Sequence, residues 1–293
     1  MVVSPGPLRT QLRMSQTRPG QIVYISKGEL LAWGGTAILE RLPSGTVMKT
    51  PIPNPNCRAE ERDHRRNMRL EAKIYAVIGN SPLVPRLINW DDETCCLEIE
   101  YLENGNLREY VRENNQTITI QLQIQWSLQA AEAIGVLHSH AAIHCDLSPR
   151  NFLLDSELNV RIADFGGASL CGSEPSATPA TRFLPPGYDS NATPVFQVDL
   201  FSLGSLIHFI MAGSYPYEDL PCDKVESLFE VDEFPDVSSI TAGDIIMQCW
   251  KREATSAKSI CDSLMAISCL SNRAARFDLA RTGKESEIGT IQT

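Results

Sequence analysis

Three polar side chains between Ile143 and Gly166 have types and separations that could do chemistry. The stretch reads I-H-C-D-L-S-P-R-N-F-L-L-D-S-E-L-N-V-R-I-A-D-F-G, with Asp146, then Asn151 five residues on, then Asp164 thirteen further on. The oxygens of Asn151 and Asp164 suit a hard cation such as Mg2+, which takes a few carboxylate or amide oxygens together with phosphate. Asp146 could accept a proton from an attacking hydroxyl. Asn151 and Asp164 must then flank one point in space. Phe152-Leu153-Leu154 and Val160-Arg161-Ile162-Ala163 read as short strands, with Asp155-Ser156-Glu157 as the turn between them. A hairpin there brings its two ends together.

The combination resembles the catalytic core of eukaryotic protein kinases, H-R-D-L-x-x-x-N followed by D-F-G. His144, Asp146, Leu147, Asn151, Asp164, Phe165 and Gly166 match it at the family's spacing. Two motifs in order are far more specific than a lone D-F-G. The resemblance implies that Asp146 orients the hydroxyl or takes its proton, and that Asn151 and Asp164 hold metal. Lys49 in V-M-K resembles the lysine of V-A-I-K, which holds the α- and β-phosphates of ATP. Glu71 in R-L-E-A-K-I-Y fits its helix partner, at the edge of a face marked by Leu70, Ile74 and Val77; Glu60 and Glu61 compete by sequence distance. Glu100 to Leu107 resembles the hinge. Adenine would meet the Glu100 carbonyl and the Leu102 amide and carbonyl, Ile99 would back the pocket, and Val47 and Leu153 would form its floor and roof.

Several positions depart from the family. In the best register for the glycine loop, Ala32 to Leu39, only Gly34 survives of the patterned glycines. Glycine lets backbone amides approach phosphate, and alanine is its smallest substitute. Trp33 at the tip either caps the phosphates or packs. Cys145 replaces an arginine that binds a phosphorylated loop residue, so the resemblance implies activity independent of such phosphorylation. Ser148 replaces a lysine that contacts the γ-phosphate. Arg150 stands where tyrosine kinases carry an arginine and would supply the cation instead. Gly187 replaces the glutamate of A-P-E, and the arginine that should pair with it falls on Thr255. Both partners are lost together, which avoids a buried unpaired charge. A looser anchor is expected, with Arg252 as a substitute cation lacking an evident partner.

The elements that must position these groups follow the hydrophobic pattern. Residues 1–18 read as disordered. Gln21 to Ile25, Thr36 to Arg41, Thr46 to Lys49, Pro85 to Trp90 and Cys95 to Tyr101 read as strands, and Cys57 to Ile78 as a long helix. Further helices are expected at Asn106 to Glu113, Thr119 to His140, Val198 to Ala212, Cys222 to Glu230, Thr241 to Trp250 and Ser256 to Cys269. In the second of these, Leu122, Trp126, Ala130, Ala133 and Leu137 share a face. Asp199 reads as an N-cap; the resemblance adds that it accepts hydrogen bonds from the catalytic loop. Tyr215-Pro216-Tyr217 and Cys249-Trp250 match further family positions. Leu170 to Pro186 reads as a loop.

The chain has 293 residues, 43% of them hydrophobic, which is ample for a core. A net charge of −10 disfavours nucleic acid as partner. No signal peptide is visible, and no apolar run reaches the roughly 18 residues that span a bilayer. Nine cysteines without C-x-x-C spacing read as reduced thiols in an intracellular, cytoplasmic or nuclear protein.

The expected fold is α+β, the two-lobed kinase fold, with a small five-stranded lobe carrying one helix and a large helical lobe. A kinase domain over 19–271 is expected, with small lobe about 19–99, hinge about 100–105, large lobe about 106–271 and a disordered tail over 272–293. The implied function is transfer of the γ-phosphate of ATP, with Mg2+, to a protein hydroxyl. Ser/Thr is the default acceptor and Tyr stays open. The rivals are a pseudokinase scaffold and a small-molecule phosphotransferase. A protein substrate is expected, no nucleic acid and no membrane; the oligomeric state stays open.

Overall fold

A computed structural model describes residues 2–4 and 23–270. The chain divides into two compact units, one running up to Glu103 and including Asp164–Gly166, the other holding Asn104–Ala163 and the chain from Gly167.

In the first unit β1 (Val2–Ser4) pairs in parallel with β2 (Val23–Ile25). This corrects two expectations. Part of 1–18 is a strand, and Val23–Ile25 lies outside the main sheet. The fifth strand of that sheet is β3 (Glu29–Trp33), followed by β4 (Ala37–Arg41), β5 (Val47–Pro51), β6 (Leu87–Asp91) and β7 (Cys96–Ile99). The order is β3-β4-β5-β7-β6, with every pairing antiparallel. β3 is an edge strand, exposed at all five positions, so the alternation that marks a half-buried strand is missing from Glu-Leu-Leu-Ala-Trp. Between β4 and β5, Gly45 takes φ +87° and donates to Leu42 O at 2.9 Å, a backbone state that glycine enters without strain.

Helix α1 (Arg58–Ile78) starts where Asn54 Oδ1 accepts from the Cys57 N–H at 3.0 Å, and ends at Gly79 with φ +68°. Its buried face is His64, Asn67, Met68, Glu71, Ala72, Ile74 and Tyr75. Val77, expected on that face, is 46% exposed. Six residues past Glu71, it points about 120° away from it around the helix axis.

In the second unit α2 (Leu107–Asn114) and α3 (Ile120–Ser139) are N-capped by Asn106 and Thr119 side chains. On α3 Trp126, Ala130, Ala133 and Leu137 are buried, while Leu122 is half-buried. The short strands β8 (Ala142–Ile143), β9 (Phe152–Leu154), β10 (Val160–Ile162) and β11 (Ser169–Leu170) pair as β8 with β11 and β9 with β10. A 3-10 turn spans Thr181–Phe183. Helices α4 (Phe196–Ala212), α5 (Cys222–Phe229) and α6 (Gly243–Trp250) follow, and residues 257–270 are helical. Every residue of α4 from Val198 to Ile210 is buried, as expected of a helix apolar all round at the centre of a bundle. Its N-cap is Val195, which corrects the reading of Asp199 as a cap. All nine cysteines are free. No helix of the described residues is long and apolar enough to cross a membrane.

Candidate active site

In the first unit the alternation of β5 turns Val47, Lys49 and Pro51 to the buried side. Lys49 lies opposite Leu39 on β4 and Leu97 on β7, 5% exposed. Its Nζ is 2.6 Å from Glu71 Oε2 and 2.6 Å from Asp164 Oδ1. Glu60 and Glu61 are engaged elsewhere, with Asn54 Nδ2 at 2.6 Å and Arg65 Nε at 3.2 Å. Burial works to strip Lys49 of its proton, but the two carboxylates more than offset this, so its pKa is raised and the ammonium stays charged. Burial pushes the Glu71 carboxyl up, against the pull of Lys49. Asp164 sits at φ +68° with half its side chain facing solvent. The next residue, Phe165, meets Tyr75 of α1 edge-on, with ring centroids 5.0 Å apart. Tyr75 Oη is buried with no hydrogen-bond partner among the described residues.

Gly34 lies in the β3–β4 turn and donates to Ala37 O at 2.9 Å, so the glycine-loop region is a short hairpin with Gly35-Thr36 at its tip. Trp33 is on β3 and packs edge-on to Tyr24 at 6.2 Å while remaining 40% exposed. Val47 pairs with Ile99 across β5 and β7, and both are buried. Glu100 exchanges bonds with Arg86: the Glu100 N–H donates to Arg86 O at 2.9 Å and Glu100 Oε2 accepts from the Arg86 N–H at 3.0 Å. Leu102 is 5% exposed.

In the second unit the expected hairpin forms. Phe152 pairs with Ile162 and Leu154 with Val160, and the Ala163 N–H donates to Asn151 O at 2.8 Å. Leu153 faces Arg161 and is half-buried. Asp155 fixes the turn by accepting from the Glu157 N–H at 3.0 Å, the Asn159 N–H at 2.9 Å and Arg161 Nη2 at 3.0 Å. Asn151 Nδ2 donates to Asp146 O at 2.8 Å, which joins those two residues and leaves Asn151 Oδ1 as the side chain's acceptor. Asp146 is half-buried and Arg150 is exposed. The buried Asp199 of α4 accepts from the His144 N–H at 2.8 Å and the Cys145 N–H at 3.1 Å. These two backbone amides, not the helix's own first turn, take its carboxylate. His138 Nε2 lies 3.0 Å from the same carboxylate. Cys145 is fully buried at φ +62°; burial first, then the charge of Asp199, pushes its thiol up to about 12.

The family's A-P-E ion pair is absent, and both Gly187 and the substitute cation Arg252 have other partners. The Gly187 N–H donates to Glu230 Oε1 at 2.9 Å, and Arg252 Nη2 meets Asp232 at 3.2 Å, which supplies the partner that the sequence did not reveal. Sequence reasoning missed His138, whose signal is only its place in the last turn of α3, and Tyr75, which reads as one more apolar position four residues after Glu71.

These residues fit ATP and Mg2+. In the first unit Lys49 is a buried cation with two of its three N–H donors committed, beside the half-exposed carboxylate of Asp164; in the second unit Asn151 keeps its Oδ1 as an acceptor. Among the described residues no cluster of three or more His, Cys, Asp or Glu could hold a metal by itself.

Residues 48–263 match the family model described as Protein tyrosine and serine/threonine kinase. Among curated relatives, the serine/threonine-protein kinase kin-29 of Caenorhabditis elegans is 29% identical over 61% of this chain and 22% of its own length. Human receptor-interacting serine/threonine-protein kinase 1 is 27% identical over 67% of this chain and 31% of its own. Human receptor tyrosine-protein kinase erbB-4 is 27% identical over 85% of this chain and 20% of its own. The chain thus spans between a fifth and a third of the length of these relatives. A family match across most of the chain, on top of the lysine cluster and the catalytic loop, makes this chain a divergent member of the protein kinase family with the α+β kinase fold.

Proposed function

We propose that the chain is an ATP- and Mg2+-dependent protein kinase whose acceptor is a serine or threonine hydroxyl, with residues 19–271 as its catalytic domain, divided near 100–105. The observation that carries this reading is the charged, buried Lys49 held at 2.6 Å by both Glu71 and Asp164. A lysine is kept charged in a dry site at a cost, and a phosphate-binding role accounts for it. ATP supplies the transferable phosphoryl group, and Mg2+ offsets its charge. Lys49 holds the phosphates, and Glu71 fixes the lysine. Asp164 and Asn151 offer oxygens to the metal. Asp146 orients the acceptor hydroxyl and takes its proton, and Arg150 supplies positive charge where negative charge develops. Gly34, Val47, Glu100, Leu102 and Leu153 surround the nucleotide. The serine/threonine acceptor draws on the two relatives so named; the receptor tyrosine kinase among them keeps tyrosine in the test.

The deciding experiment has two steps. Mg-ATP should raise the thermal midpoint of the protein, and a peptide library with Ser, Thr and Tyr acceptors should then be phosphorylated. Asp146→Ala should lower turnover by about 100- to 10,000-fold while keeping the nucleotide shift. The absence of any Mg-ATP shift would sink the reading. A shift without turnover would favour the scaffold alternative, for which the short Gly34 hairpin is the relevant observation.

A further inference from the structure

Something other than the A-P-E ion pair must hold the end of the loop that follows D-F-G, and the second unit shows two anchors. Arg182 sends its guanidinium into a cluster of main-chain carbonyls in the turn after α4. Nε donates to Pro216 O at 3.0 Å, and Nη2 donates to Tyr217 O at 3.0 Å, Leu220 O at 2.5 Å and, more weakly, Glu218 O at 3.4 Å. Several carbonyls facing one point suit a planar cation with five donors, where a lysine would satisfy fewer. The turn is itself braced, since Glu218 accepts from the Tyr215 N–H at 2.9 Å and from Arg112 Nη2 of α2 at 2.8 Å.

The second anchor is at Gly187. Its φ of +68° is a backbone state that a glutamate would enter only with strain. In that conformation the Gly187 N–H reaches Glu230 Oε1, just past α5, at 2.9 Å. A carboxylate–amide bond thus stands in for a carboxylate–guanidinium pair, with the acid moved to another element.

Between the anchors, Phe183 is buried edge-on to Tyr215, and its carbonyl accepts from Ser202 Oγ of α4 at 2.6 Å. Asp199, one helical turn before Ser202, holds the amides of His144 and Cys145. One rigid helix therefore carries both the catalytic loop and the segment Thr181–Gly187.

We propose that Arg182, with Glu230 as second anchor, is a positioning residue that fixes this segment relative to Asp146 and so sets how a protein acceptor is presented. The acceptor part rests on the kinase reading above; the anchoring part does not.

The test compares Arg182→Lys, Glu230→Ala and Glu230→Gln with the wild type, using peptide phosphorylation, the KM for ATP and amide hydrogen exchange over 181–188. Arg182→Lys should lower kcat/KM for peptide by about ten- to a hundredfold. Its KM for ATP should be unchanged, and exchange across 183–187 should be faster. Glu230→Ala should speed exchange at Gly187 and lower peptide kcat/KM, whereas Glu230→Gln, which keeps Oε1 as acceptor, should behave as wild type. Wild-type exchange in both Arg182→Lys and Glu230→Ala would overturn the anchoring. Faster exchange with equal losses toward peptide and ATP would overturn the acceptor role and mark a merely structural one. If the wild type phosphorylates no peptide, the acceptor role falls with the kinase reading, and the exchange data alone decide the anchoring.

Discussion

Tyr75 carries a buried polar atom with no hydrogen-bond partner among the described residues, and the residue beside it is Phe165 of the D-F-G stretch. A buried hydroxyl without a partner costs about 1–3 kcal/mol of desolvation. Tyr75→Phe keeps the ring and removes the hydroxyl, so it should be neutral or stabilising by up to about 1 kcal/mol, read as a raised urea midpoint at unchanged slope. Tyr75→Ala should instead cost about 3–5 kcal/mol through the cavity it opens against Phe165. Cys145 offers a chemical check at the same scale. With its thiol at about 12, its thiolate fraction at pH 8 is only about one in ten thousand. Mass spectrometry of briefly alkylated native protein should find the exposed Cys57, Cys171, Cys222 and Cys269 modified and Cys145 untouched.

The β9–β10 hairpin shows how much an element owes to one side chain. Asp155 is buried and accepts from two backbone amides and a guanidinium. Burial alone would raise its pKa; the bonds from Asn159, Arg161 and Glu157 outweigh it, and the carboxyl lies below its usual range. A depressed folded-state pKa means stability that is present above the unfolded value near 3.9 and lost as pH falls through the folded value. Asp155→Ala should therefore cost about 1–3 kcal/mol at pH 7, and the gap from wild type should close on acidification toward pH 2, measured by paired urea titrations. Asp199→Ala strands the buried amides of His144 and Cys145 and should cost at least about 3 kcal/mol.

This hairpin was fully legible in the sequence, because two apolar runs around Asp-Ser-Glu permit little else. α1 to α6 were legible within a few residues for the same reason of period. β3 was not, since an edge strand exposed on both faces has no alternation to read. Of the candidate site, Lys49, Glu71, Asp146, Asn151 and Asp164 were legible as motif positions. The anchors Arg182 and Glu230 were not, because one binds carbonyls and the other a backbone amide, and neither partner leaves a mark on composition.

At the scale of the whole molecule, ligand binding and folding share one balance. Mg-ATP at about a hundred times its Kd should stabilise the protein by about 2.7 kcal/mol, or about 5–11 °C in thermal midpoint for a domain of this size. On the proposed reading, Lys49→Met should abolish that shift, because it removes the cation assigned to the phosphates. The first unit also takes Asp164–Gly166 from far along the chain. Those three residues supply the second carboxylate on Lys49 and the ring against Tyr75. During synthesis, about 60 residues separate Glu103 from Asp164. At about 5–20 residues per second, the wait is about 3–12 s. Until then Lys49 has one carboxylate, and the Tyr75 face of α1 lacks its cover. Stalled nascent chains that end before and after Gly166 should therefore differ in protease resistance within the first unit. The small lobe's last contacts are timed by the ribosome, at a point when only about a third of the second unit's chain has been made.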